Sequence, residues 1–294
     1  MSIQLITLFV FGSILILFII GIPVAWVLGV VTVIFTLLLW GNDGLFVLPS
    51  NLYRTAGPII LAAPGFLLMA HVLKESGVAE DLYTMMHRWA GPLPGGLAIG
   101  TVAICTIFAA MSGISGTGTV TMGVIALPAM LERKYDKKIA MGAIAAGGVL
   151  GILIPPSVLM IVYCSLTMET IGNMFLGGLI PGLITSLLLM GYIAIRCIIN
   201  PRLGPPLEPE SRGTWREKTV SLKGVILPML LIICVLGSIF SGAATPSEAA
   251  SVGAVGAIIC AAIHRRLNFR IMKDALRETT LMTSMILWII GLAG

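Results

Sequence analysis

Residues 97–131 read LAIGTVAICTIFAAMSGISGTGTVTMGVIALPAML, an apolar stretch interrupted once, at 112–119, by SGISGTGT. From Leu97 to Met111 a helix rises only about 22 Å, short of the roughly 30 Å of hydrocarbon that a spanning helix must cross. A second short apolar stretch then runs to Leu131. The simplest structure is a re-entrant helical hairpin over 97–131 with its tip near mid-membrane. A second interruption follows at 151–157, GILIPPS, where Pro155 and Pro156 cannot continue the helix begun near Ile139. The helix over 139–163 is therefore expected to be broken.

The rest of the chain has the composition of an integral membrane protein. Of 294 residues, 57% are hydrophobic and 11% charged, against roughly a quarter charged in a soluble domain. Stretches 1–42, 89–131, 139–168, 170–195, 224–247, 249–263 and 279–294 hold no Asp, Glu, Lys or Arg. Segments 3–20 and 22–40 read as a helical hairpin, with Pro23 suited to the first turn of its second helix. Residues 59–73 make a shorter span and 174–195 a full one; 225–241 and 247–263 form another hairpin, and a last span starts near Leu281. Between them lie amphipathic stretches at 41–58, 74–90 and 264–280. In the second, Val78, Leu82, Met85, Met86 and Trp89 share one helical face, which is the pattern of an interfacial helix. The N-terminus lacks a basic region and a small-residue cleavage site, so it reads as a retained helix.

Several function classes fall away. The net charge of +5 is spread over short loops with no aromatic-basic face, which excludes a nucleic-acid partner. Cys105, Cys164, Cys197, Cys234 and Cys260 are widely and irregularly spaced, so neither a disulfide framework nor a transition-metal site is expected. Buried free cysteine is an ordinary apolar residue. His71, His87 and His264 fall at span ends or in an amphipathic stretch and read as interface anchors. If the N-terminus is outside, every Lys and Arg except Arg54 lies on the inner side, provided that 97–131 enters and leaves on that side.

An inverted repeat is also visible. A hairpin, an amphipathic stretch and a span occur at 3–40, 41–58 and 59–73 and recur at 225–263, 264–280 and from 281 onward, starting from opposite sides as in secondary transporters. The division is a first repeat over 1–195, a cytoplasmic connector over 196–224 with the proline-rich run 201–209, and the start of a second repeat over 225–294. No counterpart of 97–163 follows in the second copy, so the second repeat is expected to be incomplete, as in a C-terminally truncated chain.

A hairpin tip and a helix break inside a membrane leave backbone groups unpaired, which is tolerated where protein, water or an ion satisfies them. At the tip, Ser112, Ser115, Thr117 and Thr119 offer hydroxyls, while Gly113, Gly116 and Gly118 let carbonyls turn inward. A hard cation such as Na⁺ takes that kind of oxygen shell. At the break, Gly147, Gly148 and Gly151 permit close packing, Pro155 and Pro156 free the preceding carbonyls, and Ser157 is placed to cap the second half-helix. The half-helix N-terminus would face an anionic group. Glu248 is a candidate proton or cation carrier, but Thr245, Pro246, Ser247 and Glu248 spell a capping box with proline at the first helical position.

At this point the chain resembles a known family. FAAMSGISGTGTVTMG at 108–123, GGVLGILIPPSVLMIVY at 147–163, GLIPGLI at 178–184 and SGAATPSEAASVGAVGA at 241–257 are similar to motifs of the large membrane subunit of tripartite ATP-independent periplasmic transporters. The resemblance implies an all-α polytopic permease of the inverted-repeat, elevator type in a bacterial inner membrane with a periplasmic N-terminus. It implies Na⁺-coupled import of organic acids such as dicarboxylates or sialic acid. It also implies a small membrane subunit and a periplasmic substrate-binding protein as partners, and no cofactor besides the coupling ion. By position, Ser112, Gly113, Ser115, Gly116, Thr117 and Thr119 fall on the family's hairpin tip and Gly147, Gly151, Pro155, Pro156 and Ser157 on its broken helix, with Na⁺ expected at Ser112, Ser115 and Gly151. Ile114 and Gly118 stand where the family carries small hydroxyl residues. Two other readings exist: a non-transporting assembly subunit or fragment, and an intramembrane serine protease built on Ser115 in the Gly113–Gly116 string, which needs a histidine at similar depth.

Overall fold

The computed structural model describes residues 2–113, 115–206 and 214–293; Ile114 and residues 207–213, part of the proline-rich connector, lie outside them. Among the described residues the elements are helices and short 3-10 turns, with no strand. In chain order they are α1 (Ile3–Ile19), α2 (Val24–Trp40), α3 (Val47–Glu75), α4 (Val78–Ala90), α5 (Gly96–Ser112), α6 (Ser115–Glu132), α7 (Lys137–Leu153), α8 (Val158–Thr167), α9 (Ile171–Ile199), α10 (Trp215–Phe240), α11 (Pro246–Ile263) and α12 (Phe269–Ala293). Segments Lys137–Thr167, Ile171–Ile199 and Pro246–Ile263 are long and apolar enough to cross a bilayer, and α10 reaches that length with a 40° bend near Lys223. The chain divides into two compact units, 1–61 with 280–294 and 62–279.

In the first unit α1 and α2 are consecutive helices in contact. No residue of α1 is buried, and its Ile, Leu and Phe side chains stand exposed, the signature of helices facing an apolar solvent. Trp26 and Trp288 meet edge to face, with centroids 5.4 Å apart.

In the second unit the interrupted stretch is a hairpin of α5 and α6. Its two feet meet: the Leu97 N–H donates to Tyr135 Oη at 3.3 Å. The Gly95 N–H and the Asp136 N–H donate to the carbonyls of Gly204 and Leu203 in the turn after α9, at 2.8 and 3.0 Å. Burial pushes the Tyr135 phenol up to about 12, so it stays protonated. Asp136 also starts α7, its carboxylate accepting from the N–H groups of Lys138 and Ile139, so the helix begins at Lys137, two residues before the expected start. Midway along, Ser186 of α9 donates to Thr106 Oγ1 at 2.6 Å, because the Thr106 proton is already given to the Val102 carbonyl.

Four expectations change in detail. The stretches 41–58 and 264–280 are not separate from the spans that follow; α3 and α12 each run unbroken from polar into apolar sequence. The connector ends early, because Thr214 and Glu217 close a capping box that starts α10 at Trp215. The apolar face of α4 packs on protein: Val78, Ala79, Leu82 and Met85 are buried, and a β-carbon at Gly100 of α5 would lie 3.3 Å from Met86 Cβ. Its far end is tied to α10, where Trp89 Nε1 donates to the Lys218 carbonyl at 3.3 Å. His87, on the same helix, is held below its ordinary pKa by burial and by the Arg133 and Arg88 charges. His71 is no interface anchor either. It is 2% exposed, with Nδ1 3.2 Å from Thr279 Oγ1, whose own proton goes to the Ala275 carbonyl.

The corner between α3 and α4 is held from the α11–α12 turn. Arg266 Nη1 donates to the carbonyls of Ser76 and Gly77 at 2.9 and 2.7 Å, and Nη2 to Asp81 Oδ1 at 3.0 Å. The side chain is 40% exposed, so solvent screening keeps the expected cost of Arg266→Ala to about 1 to 2 kcal/mol. Arg266→Lys is expected not to rescue it, since one ammonium lacks the planar fork that spans three acceptors. Faster hydrogen exchange of the Gly77 to Asp81 amides in both variants is the readout.

Candidate functional site

The hairpin tip and the helix break meet. Gly113 follows α5 at φ +60°, a left-handed conformation, and its carbonyl accepts the N–H of Val158, the first residue of α8, at 3.4 Å. A β-carbon at Gly113 would strike the Pro156 carbonyl oxygen and lie 3.2 Å from Ser157 Cα. Glycine is thus required twice, by conformation and by contact. Ser112 closes α5 by its backbone; its side chain, with Ile114, lies outside the described part of the tip.

At the break, the Leu150 carbonyl still receives the Ile154 N–H at 2.9 Å. The next two carbonyls, of Gly151 and Ile152, lose their helical donors because Pro155 and Pro156 have no N–H. Ser157 occupies the N-cap position of α8 in extended conformation, but its side chain does not make the expected capping bond. The first N–H of that helix is already turned to the hairpin. Ser157 is fully buried, and among the described residues its Oγ has no hydrogen-bond partner. Leaving a buried hydroxyl unpaired costs about 1 to 3 kcal/mol, so such a group calls for a role.

Below the tip, α6 and α7 cross at glycines. A β-carbon at Gly148 would collide with Thr119 Oγ1 and lie 2.9 Å from Thr119 Cβ, and one at Gly118 would stand 3.8 Å from Gly148 Cα. Thr119 Oγ1 donates back to the Ser115 carbonyl at 3.3 Å. Gly147 fits against α5, where a β-carbon would be 2.9 Å from Cys105 Cβ. Ser115, Thr117 and Thr119 are half-buried, whereas Gly116 is exposed with open space around it. The geometry therefore brings Gly113 against Pro156, Ser157 and Val158 at the break that follows Gly151 and Pro155, places Thr119 beside Gly148, and leaves Gly116 outside.

Two residues of this arrangement had no assigned place. Gly178 and Gly182 of α9 receive the break itself: their β-carbons would lie 2.6 Å from the Leu153 carbonyl oxygen and 2.6 Å from Ile154 Cγ1. The signal was the i, i+4 glycine pair of GLIPGLI, which puts two notches on one helical face. At the other end of the chain the capping box is present as expected. The Thr245 N–H donates to Glu248 Oε2 at 2.8 Å and the Glu248 N–H to Thr245 Oγ1 at 3.4 Å, so Glu248 is committed to starting α11.

The stretches that build the tip and the break hold no charged residue. Among the described residues no group of three His, Cys, Asp or Glu side chains is placed to hold a metal. Hydroxyl and carbonyl oxygens, with the N-terminal dipole of α8, are what the site offers.

The family model described as "Tripartite ATP-independent periplasmic transporter, DctM component" matches residues 11–294. The chain is 37% identical to the C4-dicarboxylate TRAP transporter large permease protein DctM of Vibrio cholerae, over 87% of this chain and 54% of that protein. It is 35% identical to the protein of the same description from Pseudomonas aeruginosa, over 87% and 59%. It is 31% identical to the isethionate TRAP transporter permease protein DctMQ of Oleidesulfovibrio alaskensis, over 96% and 44%. The chain thus spans about half the length of these relatives.

Proposed function

The chain belongs to the DctM component family of tripartite ATP-independent periplasmic transporters, and from that premise we propose that it supplies one half of the ion and substrate site of a Na⁺-coupled importer of small organic anions. It is a multi-pass membrane protein of a transporter family, not an enzyme, so the serine-protease reading of Ser115 falls. The observation that carries the proposal is the buried Ser157 hydroxyl, unpartnered among the described residues, beside the Gly113 turn and near the Gly151 and Ile152 carbonyls, whose helical donors are replaced by Pro155 and Pro156. These are hard, neutral oxygens, the donor set that suits Na⁺. On this reading Ser157 Oγ and the Gly151 carbonyl ligate the ion, Ser112 and Ser115 contribute from the tip, and the substrate carboxylate is met by the N-terminus of α8.

The substrate class rests on chemistry. The relatives named for C4-dicarboxylate and for isethionate handle anions of different head group, which fits a membrane site that reads charge while a periplasmic binding protein selects the molecule. A small membrane subunit completes the proposed assembly, in a bacterial inner membrane with the N-terminus periplasmic. α5 to α8 form the moving element of the elevator, with the hairpin re-entrant from the cytoplasmic side.

The full-length permease, reconstituted with its binding protein and small subunit, is expected to take up a C4-dicarboxylate only under an inward Na⁺ gradient. Uptake that persists with K⁺ alone overturns the coupling. The topology has its own test. In a Cys-free background Lys137→Cys is expected to resist an impermeant thiol reagent from the periplasm, and strong labelling from that side reverses the orientation.

A further inference from the structure

Where α5, α7 and α9 meet, a groove of about 150 Å³ opens on the second unit. Its walls are apolar and low, with Val102 from α5, Gly142 and Ala146 from α7, and Leu189 from α9; Lys138 and Tyr192 stand at its mouth. Lys138 and Tyr192 are exposed, and Arg196, one turn beyond Tyr192 on the same face of α9, is exposed too. Among the described residues, none of Lys134, Lys137, Lys138 and Arg196 takes part in an ion pair. Two carboxylates lie near in sequence. Asp136 is committed to capping α7, and Glu132 closes α6, so the mouth keeps an excess of positive charge.

We propose that this groove binds one anionic phospholipid, with an acyl chain along the apolar floor and the phosphate between Lys138 and Arg196. Three observations choose this occupant. A groove of this size takes a hydrocarbon chain but not a partner helix, which is about 10 Å across. Two of its three walls, α7 and α9, belong to segments long and apolar enough to span a bilayer, Lys137–Thr167 and Ile171–Ile199. Its charge is concentrated at one end, as a lipid's is, and of the sign that favours an anionic over a zwitterionic head group. Tyr192 at the mouth has the amphipathic ring found at the head-group level. The proposal is independent of the transport reading.

Gly142 makes a clean test, because a β-carbon there has no atom within 4 Å beyond its own helix. Gly142→Leu therefore starts its side chain into open space and directs it into the groove. The purified full-length protein is delipidated in detergent and titrated with phosphatidylglycerol or phosphatidylcholine, and bound lipid is counted by native mass spectrometry. Wild type is expected to retain one phosphatidylglycerol more tightly than phosphatidylcholine. Lys138→Gln and Arg196→Gln are each expected to weaken retention about fivefold. Gly142→Leu is expected to abolish it, with lipid-free thermal unfolding unchanged. Equal retention of the two lipids, undiminished retention in Gly142→Leu, or a polypeptide cross-linked through the groove in place of lipid overturns the proposal.

Discussion

Replacing Gly113 with alanine is expected to lower the stability of the permease by about 2 to 5 kcal/mol and to abolish uptake. About 1 to 2 kcal/mol comes from holding a β-carbon in the left-handed region, where Gly113 sits at φ +60°. A further 1 to 3 kcal/mol, roughly, comes from the collision with the Pro156 carbonyl, a backbone atom that cannot swing aside as a side chain would. The control lies three residues on. Gly116→Ala adds the same methyl group at a position with nothing within 4 Å and is expected to be neutral or slightly stabilising, since alanine suits a helix interior better. Thermal unfolding of both variants in detergent checks the pair. Equal melting temperatures in Gly113→Ala and wild type contradict the packing of tip against break.

Ser157→Ala is expected to separate stability from ion binding. The serine hydroxyl is buried without a partner among the described residues, so its removal leaves no orphaned group there, and the Na⁺-free protein is expected to melt at or above the wild-type temperature. If that oxygen ligates Na⁺, losing it costs about 1 to 3 kcal/mol of binding, which is roughly a 5- to 150-fold higher Na⁺ requirement for uptake. Ser115→Ala is expected to shift the requirement in the same direction. A Na⁺ titration of uptake, run beside Na⁺-induced thermal shifts, gives both readouts. An unchanged Na⁺ requirement in Ser157→Ala removes the residue from the site.

The residues that made the sequence readable were those whose effect is local. Pro155 and Pro156 stop a helix whatever surrounds them, and α7 ends at Leu153 accordingly. Thr245 and Glu248 sit three apart and close their box within one turn. The contact between tip and break was not legible, because nothing local ties Gly113 to Val158. The role of Gly178 and Gly182 was hidden for the same reason: a notch has meaning only once the element that fills it is known. Sequence also misjudged the surroundings of polar and amphipathic groups. The apolar stripe of α4 is compatible with lipid and with protein alike, and α5 is what covers it. His71 reads as a span-end residue until Thr279, far along the chain, reaches it.

The hydrogen bond between Gly95 and Gly204 brings together the two ends of everything that builds the tip and the break. A stretch of chain whose entry and exit touch is a closed cassette: it can be excised, transplanted or permuted without stretching what remains. Its amides at Gly95, Leu97 and Asp136 all lead to the same foot, so they should be protected and released together, as one cooperative foldon rather than as five fraying helices. The part of this chain that builds the tip and the break thus has the anatomy of a module that evolution could duplicate whole, with one turn serving as its clasp.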